Sequence, residues 1–224
     1  LVYQEFCDFL KTDPHKVKSL QQIPFLPIQF FKSHEVVSNT NPIKETFTSS
    51  GTTGMITSKH LVTDVTLYEE SYRKGFSEFY GNIEDYVVLA LLPSYLEREG
   101  SSLIYMVKDL IELSNHPESG FYLHNHDELI AKIIALDEAG QNVILIGVTF
   151  ALLDLIEKHK FQLQHTIIME TGGMKGKRKE MIREELHEQL CKGFGVSAIH
   201  SEYGMTELLS QAYSLGNGVF ECPS

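Results

Sequence analysis

Residues 48 to 54 read Thr48-Ser49-Ser50-Gly51-Thr52-Thr53-Gly54, hydroxyl side chains gathered around two glycines, with Lys59 a short distance beyond. This composition suits the holding of phosphate. Glycine lets successive backbone N–H groups turn into one concavity, and Ser and Thr hydroxyls add further donors. The spacing is not Gly-x-x-x-x-Gly-Lys-Ser/Thr, so the fold built on that motif is a poor match. The same composition also makes an ordinary turn. A second group, Tyr203-Gly204-Met205-Thr206-Glu207, follows the apolar-rich stretch Val196-Ser197-Ala198-Ile199-His200. Strand ends are where α/β sheets bind ligands. There the Tyr203 ring suits a purine face, the Thr206 hydroxyl a phosphate, and the Glu207 carboxylate Mg²⁺. The competing reading is a plain strand-to-helix turn with Glu207 in the first helical turn, favourable to the dipole.

In this order, with Glu170-Thr171-Gly172-Gly173-Met174 between them, the motifs resemble the adenylate-forming superfamily of acyl-CoA synthetases, phenylacetate-CoA ligases and luciferases. Phe47-Thr48-Ser49-Ser50-Gly51-Thr52-Thr53-Gly54 and Leu92-Pro93-Ser94-Tyr95-Leu96-Glu97-Arg98 narrow the resemblance to the acyl-protein synthetases of bacterial luminescence, the LuxE type. The resemblance spans most of residues 24 to 220 and implies the N-terminal domain type of these enzymes. It assigns ATP phosphates to Ser49, Ser50, Gly51, Thr52, Thr53 and Gly54, with Lys59 nearby. It assigns the adenine and acyl pocket to Gly172 and Gly173, the adenine stack to Tyr203 and Gly204, and catalysis to Thr206 and Glu207, with Glu207 as the Mg²⁺ carboxylate. The implied reaction uses ATP to activate a carboxylic acid, expected to be a fatty acid, as an acyl-adenylate. The acyl group then passes to a protein cysteine for delivery to a partner such as an acyl reductase. Two alternatives stand beside it, transfer to coenzyme A and a nucleotide-binding module without chemistry.

The chain departs from the superfamily in places. Met55-Ile56-Thr57-Ser58 precedes Lys59 where relatives have one residue and then Pro-Lys, and Tyr95 matches only approximately the residue set near the acyl carbon. Relatives continue to a ribose-binding aspartate, a hinge and a small C-terminal domain bearing a catalytic lysine. The resemblance therefore implies that residues 1–224 are a partial chain, inactive alone in the complete reaction.

Composition narrows the classes. The sequence is 42% hydrophobic and 22% charged, ordinary for a globular protein of 224 residues. The net charge of −11 argues against nucleic acid, whose binding needs Lys and Arg against phosphates. No apolar run approaches the ~20 residues of a membrane span. Cys7, Cys191 and Cys222 are too widely spaced for a paired motif, which suits a reducing, cytoplasmic setting. Cys191 reads as packing, Cys7 and Cys222 as exposed. His124-Asn125-His126-Asp127 offers metal-ligand chemistry, but it also reads as the cap of a helix. No Gly-x-Ser-x-Gly elbow supports a hydrolase.

The elements that must position these groups alternate. Helical spacing covers Asp64 to Tyr80, Ser101 to Ser114, Asp127 to Ala139 and Phe150 to Lys160. A long amphipathic helix is predicted from Met174 to Lys192, closed by Gly193 and opened by the basic run Lys175-Gly176-Lys177-Arg178-Lys179. Cations there oppose the helix dipole, which points to an anionic partner or a solvated face. Strands are predicted at Tyr86 to Leu92, Val143 to Val148, Thr166 to Met169 and Val196 to His200. The alternation implies an α/β fold, a mainly parallel sheet with flanking helices. Residues 1–45, with a short helix over Leu1 to Leu10 and a proline-rich stretch at Ile23 to Ile28, read as a segment packed on an α/β domain of residues 46–224.

Overall fold

The computed structural model describes residues 1–49, 56–93, 99–123, 125–174, 176–179 and 181–223. Two short helices, Val2–Phe9 (α1) and Phe30–Ser33 (α2), precede an antiparallel pair formed by Glu45–Thr48 (β1) and Lys59–Val62 (β2). Thr66–Tyr80 (α3) leads into a six-stranded sheet. Its strands are Val87–Leu91 (β3), Gly120–Phe121 (β4), Val143–Val148 (β5), Thr166–Thr171 (β6), His200–Gly204 (β7) and Gln211–Ser214 (β8). Their spatial order is β4-β3-β5-β6-β7-β8, parallel except for β8, which runs antiparallel to β7. The chain is thus an α/β protein. The apolar runs of β3 and β5 are buried at every position, as expected of strands covered on both faces.

Helices Ser102–Ser114 (α4), His126–Glu138 (α5), Thr149–Lys158 (α6) and Arg183–Phe194 (α7) cover the sheet. Their caps follow local chemistry. The Ser101 hydroxyl accepts from Ile104 N at 3.3 Å, and Asn125 accepts from Glu128 N at 3.2 Å while its amide donates back to the Glu128 carboxylate at 2.7 Å. Asp64, one residue ahead of the α3 cap, accepts from both the backbone N and the hydroxyl of Thr66. In the last turn of α5, the buried Asp137 carboxylate accepts from Gln164 N, His165 N and the Thr166 hydroxyl, tying that helix to the start of β6.

Several expectations are corrected. The helix predicted from Met174 begins only at Arg183 and runs past Gly193 to a left-handed cap at Gly195, φ 69°. The reason lies upstream. Arg178 is drawn to Asp154 and Glu157 of α6 and Lys177 lies over the Phe150 ring, so these two residues of the basic run pack on α6 ahead of the helix and do not open it. The last parallel strand covers His200–Gly204 instead of Val196 to His200, because its register sets His200 against Met169 and Ser201 against Glu170. Cys7 is buried, 1% exposed, whereas Cys222 is exposed and Cys191 half-buried. Among the described residues no helix is long and apolar enough to cross a membrane.

Candidate active site

Parallel strands deliver their C-terminal ends to one edge, and here the chain places its polar residues. β6 ends in Glu170-Thr171 before the Gly172-Gly173 turn, in which Gly172 has φ 76°. β7 carries Ser201-Glu202-Tyr203-Gly204 beside it. Side chains alternate across a strand, so Glu170 and Ser201 project to one face, Thr171 and Glu202 to the other. β8 sets Tyr213 opposite Glu202 and Gln211 opposite Gly204. A cavity of about 270 Å³ lies between these strand ends, the first turn of α4 and Tyr68 of α3.

The two faces solve the burial of carboxylates differently. Glu170 accepts from the Thr149 hydroxyl and from Arg183 Nη1, each at 3.2 Å, and His187 Nε2 stands 3.6 Å from it. Burial alone raises its pKa, but His187, Ser201 and Arg183 more than offset that and leave it lowered. Among the described residues no cation hydrogen-bonds or ion-pairs with Glu202, although Arg183 lines the same cavity. It is 6% exposed and accepts from the Thr171 hydroxyl at 2.7 Å. Burial, reinforced by the charge of Glu170 and only partly countered by Thr171, pushes its pKa up to about 7. Next to it Gln211 Nε2 donates to the Tyr68 hydroxyl at 3.0 Å, which donates to Ser102 O at 3.1 Å. The Gln211 Oε1 atom is buried without a partner among the described residues.

The cavity lining unites Gly172, Gly173, Tyr203, Gly204 and Thr206, five of the residues singled out in the sequence. Tyr203 is 54% exposed at the rim, edge-on to Phe220 with ring centroids 6.0 Å apart. Ser49 and Lys59 belong to the β1–β2 arm, where Ser49 accepts from Ser58 N at 2.9 Å and Lys59 pairs in register with Thr48. That arm meets the site through Thr206, whose hydroxyl donates to Thr48 O at 3.5 Å and whose carbonyl accepts from His60 Nδ1 at 2.9 Å. Burial lowers the His60 pKa, against the opposing influence of Thr206 and of the Glu207 carboxylate, which places Glu207 close to that ring. Ser50, Gly51, Thr52, Thr53, Gly54, Tyr95 and His124 lie outside the described residues.

Among the described residues no group of three or more His, Cys, Asp or Glu side chains could hold a metal ion. A single half-buried carboxylate such as Glu207 suits Mg²⁺, which commonly takes one or two protein carboxylates and completes its shell with substrate phosphates and water. The residues missed in the sequence are Glu202, Gln211, Tyr68 and Arg183. The register of β7 with β8 brings Glu202 and Gln211 to the cavity, and the packing of α3 and α7 brings Tyr68 and Arg183 to it.

Gly204 keeps the cavity open. A Cβ there would lie 3.0 Å from Glu202 Oε1 and 3.4 Å from Gln211 Nε2. Glu202 is pinned by Thr171 and has little room to yield. Gly204→Ala is expected to destabilise the protein by about 1–2 kcal/mol in urea unfolding, the usual scale for overpacking. An unchanged midpoint would show that the gap is slack.

A family model described as Acyl-protein synthetase, LuxE matches residues 1–217. Comparison with curated proteins returns no match.

Proposed function

Because this chain belongs to the LuxE family of acyl-protein synthetases, we propose that it uses ATP to activate a fatty acid as an acyl-adenylate and passes the acyl group to a protein cysteine. The carrying observation is the cavity at the C-terminal edge of the parallel sheet, where Gly172, Gly173, Tyr203, Gly204 and Thr206 converge. A carboxylate oxygen attacks the α-phosphorus, the bond from that phosphorus to the bridging oxygen breaks, and pyrophosphate leaves; the cysteine sulfur then attacks the acyl carbon, the acyl carbon–oxygen bond to the adenylate breaks, and AMP leaves. Such a step depends on alignment and on neutralising charge.

In this reading Thr206 contacts phosphate, Tyr203 offers its ring to adenine, and the Gly172-Gly173 turn lets the ligand approach the backbone closely. Ser49 to Gly54 and Lys59 are the phosphate-binding arm, joined to Thr206 through Thr48. Glu207 would hold Mg²⁺, which would neutralise the triphosphate of a substrate approaching a chain of net charge −11. An acyl reductase is the proposed recipient.

The test is ATP–pyrophosphate exchange with straight-chain acids of increasing length, in the wild type and in Glu207→Gln. Exchange that requires the acid, and falls at least tenfold in the variant with secondary structure retained, is the expected result. Exchange independent of added acid would overturn the activation reading. Full activity in Glu207→Gln would overturn the role given to that carboxylate.

A further inference from the structure

Glu202 is a carboxyl group in a place that a carboxylate would avoid. It is 6% exposed; Arg183 of α7, which lines the same cavity, pairs with Glu170 through Nη1, and no ion pair or cationic hydrogen bond reaches Glu202 among the described residues. From β6 it meets Thr171 and the charge of Glu170, from α3 Tyr68 and Tyr80, and from β8 Tyr213, neutral hydroxyls whose own pKa values burial raises. Its Oε2 atom takes the Thr171 hydroxyl, while Oε1 lies across the gap that Gly204 leaves open on the cavity. An enclosed carboxyl without a cation keeps its proton, and a neutral carboxyl is a hydrogen-bond donor.

We propose that Glu202, in its protonated form, donates a hydrogen bond to the carboxylate of the acid substrate and so orients it in the cavity. This rests on the acid-activating reading given above. It adds a substrate contact that lies outside the Tyr203 to Glu207 motif. The acid is a better occupant of this corner than phosphate. A phosphate brings more negative charge to a corner that already holds Glu202 and Glu170, where the one cation lining the cavity among the described residues, Arg183, is shared with Glu170, and Thr206, the proposed phosphate contact, also reaches the β1–β2 arm through Thr48. The unpartnered Gln211 Oε1 marks the same corner as incompletely satisfied among the described residues, as expected of a surface that a ligand completes.

The arrangement makes binding of the acid depend on one proton. Below about pH 7 Glu202 donates, and above it the ionised group repels the incoming carboxylate. The experiment measures the Kd of radiolabelled decanoate by equilibrium dialysis from pH 6 to 8.5, alongside the KM values for decanoate and ATP in pyrophosphate exchange. The decanoate Kd and KM are expected to rise about tenfold per pH unit above the Glu202 pKa, with the ATP KM flat. Glu202→Gln, which keeps a neutral donor, should bind decanoate with the low-pH affinity at every pH. Thr171→Val, which removes a hydrogen bond that favours the ionised form, should move the inflection to higher pH.

A flat decanoate profile in the wild type, a pH dependence confined to ATP, or a Glu202→Gln protein that binds decanoate poorly at all pH values would each overturn the proposal. If Glu202→Gln does not fold, an inflection unmoved by Thr171→Val does so. Decanoate that binds with the expected profile without supporting exchange would leave the hydrogen bond standing and remove the acid-activating reading. Flat binding with acid-dependent exchange would do the reverse, and no binding at any pH would remove both.

Discussion

Asp137→Ala is expected to lower the unfolding free energy by roughly 3–5 kcal/mol, measured by urea denaturation, because one buried carboxylate satisfies several donors at once. Gln164 N approaches it at 3.0 Å, and His165 N and the Thr166 hydroxyl each at 2.8 Å. Alanine leaves two backbone N–H groups and a hydroxyl without that acceptor at the junction of α5 and β6. Asp137→Asn should cost about half as much, since Oδ1 can still serve His165 and Thr166 while the new amide faces the Gln164 N–H. Hydrogen exchange at Gln164 and His165 should accelerate in both variants, and protection equal to wild type would show that the junction is held by something else. A loss below about 1 kcal/mol for alanine would put Asp137 among ordinary surface carboxylates.

The second large effect is a pH dependence of stability centred on Glu202. Its pKa is about 7 in the folded protein against the ordinary 4.5, so the folded state holds a proton that the unfolded chain releases between those values. Stability from this group is fully present below pH 4.5, declines as pH rises, and is lost above about 7. The decline should reach about 3 kcal/mol, at about 1.4 kcal/mol per unit. Glu170 has the opposite sign, because its lowered pKa favours folding above the ordinary carboxylate range and loses that contribution in acid. Subtracting the stability curve of Glu202→Gln from that of the wild type isolates the Glu202 contribution. The difference curve should slope downward through the window, with the glutamine variant the more stable protein at pH 8. A difference independent of pH between 4.5 and 8 would show that Glu202 is ionised in the fold.

Much of the architecture was legible because it rests on local signals. The uninterrupted apolar runs at Val87 to Leu91 and Val143 to Val148 became central strands, and Ser101 and Asn125 became caps. The failures have a common cause in tertiary pairing. His200-Ser201-Glu202-Tyr203-Gly204 lacks the apolar alternation of a strand, since it lines the cavity at the edge of the sheet, and only its register with β6 and β8 makes it one. Apolar Ile199 packs in the core just ahead of that strand, so apolarity pointed a few residues too early. α7 starts later than its amphipathic pattern suggests because Arg178 answers to Asp154 and Glu157, which no pattern local to residues 174–182 reveals. In the site, glycines and the Tyr203 to Glu207 motif stood out by type. Glu202 did not, because a lone glutamate in sequence reads as a solvated residue, and Gln211 lies in a strand too short to show a period.

The strand order also bears on how the protein is made. From β6 onward each strand is laid against its predecessor in the chain, so the sheet widens in one direction as synthesis proceeds from the N-terminus. The central pairing of β3 with β5 requires nothing beyond Val148, but the cavity does not exist until β7 and β8 have been added at the growing edge. A ligand of this cavity therefore has nothing to bind on a nascent chain that ends before Gln211. Its stabilising effect is confined to the closing event, in which it acts as a latch on the last two strands and not as a template for the first three.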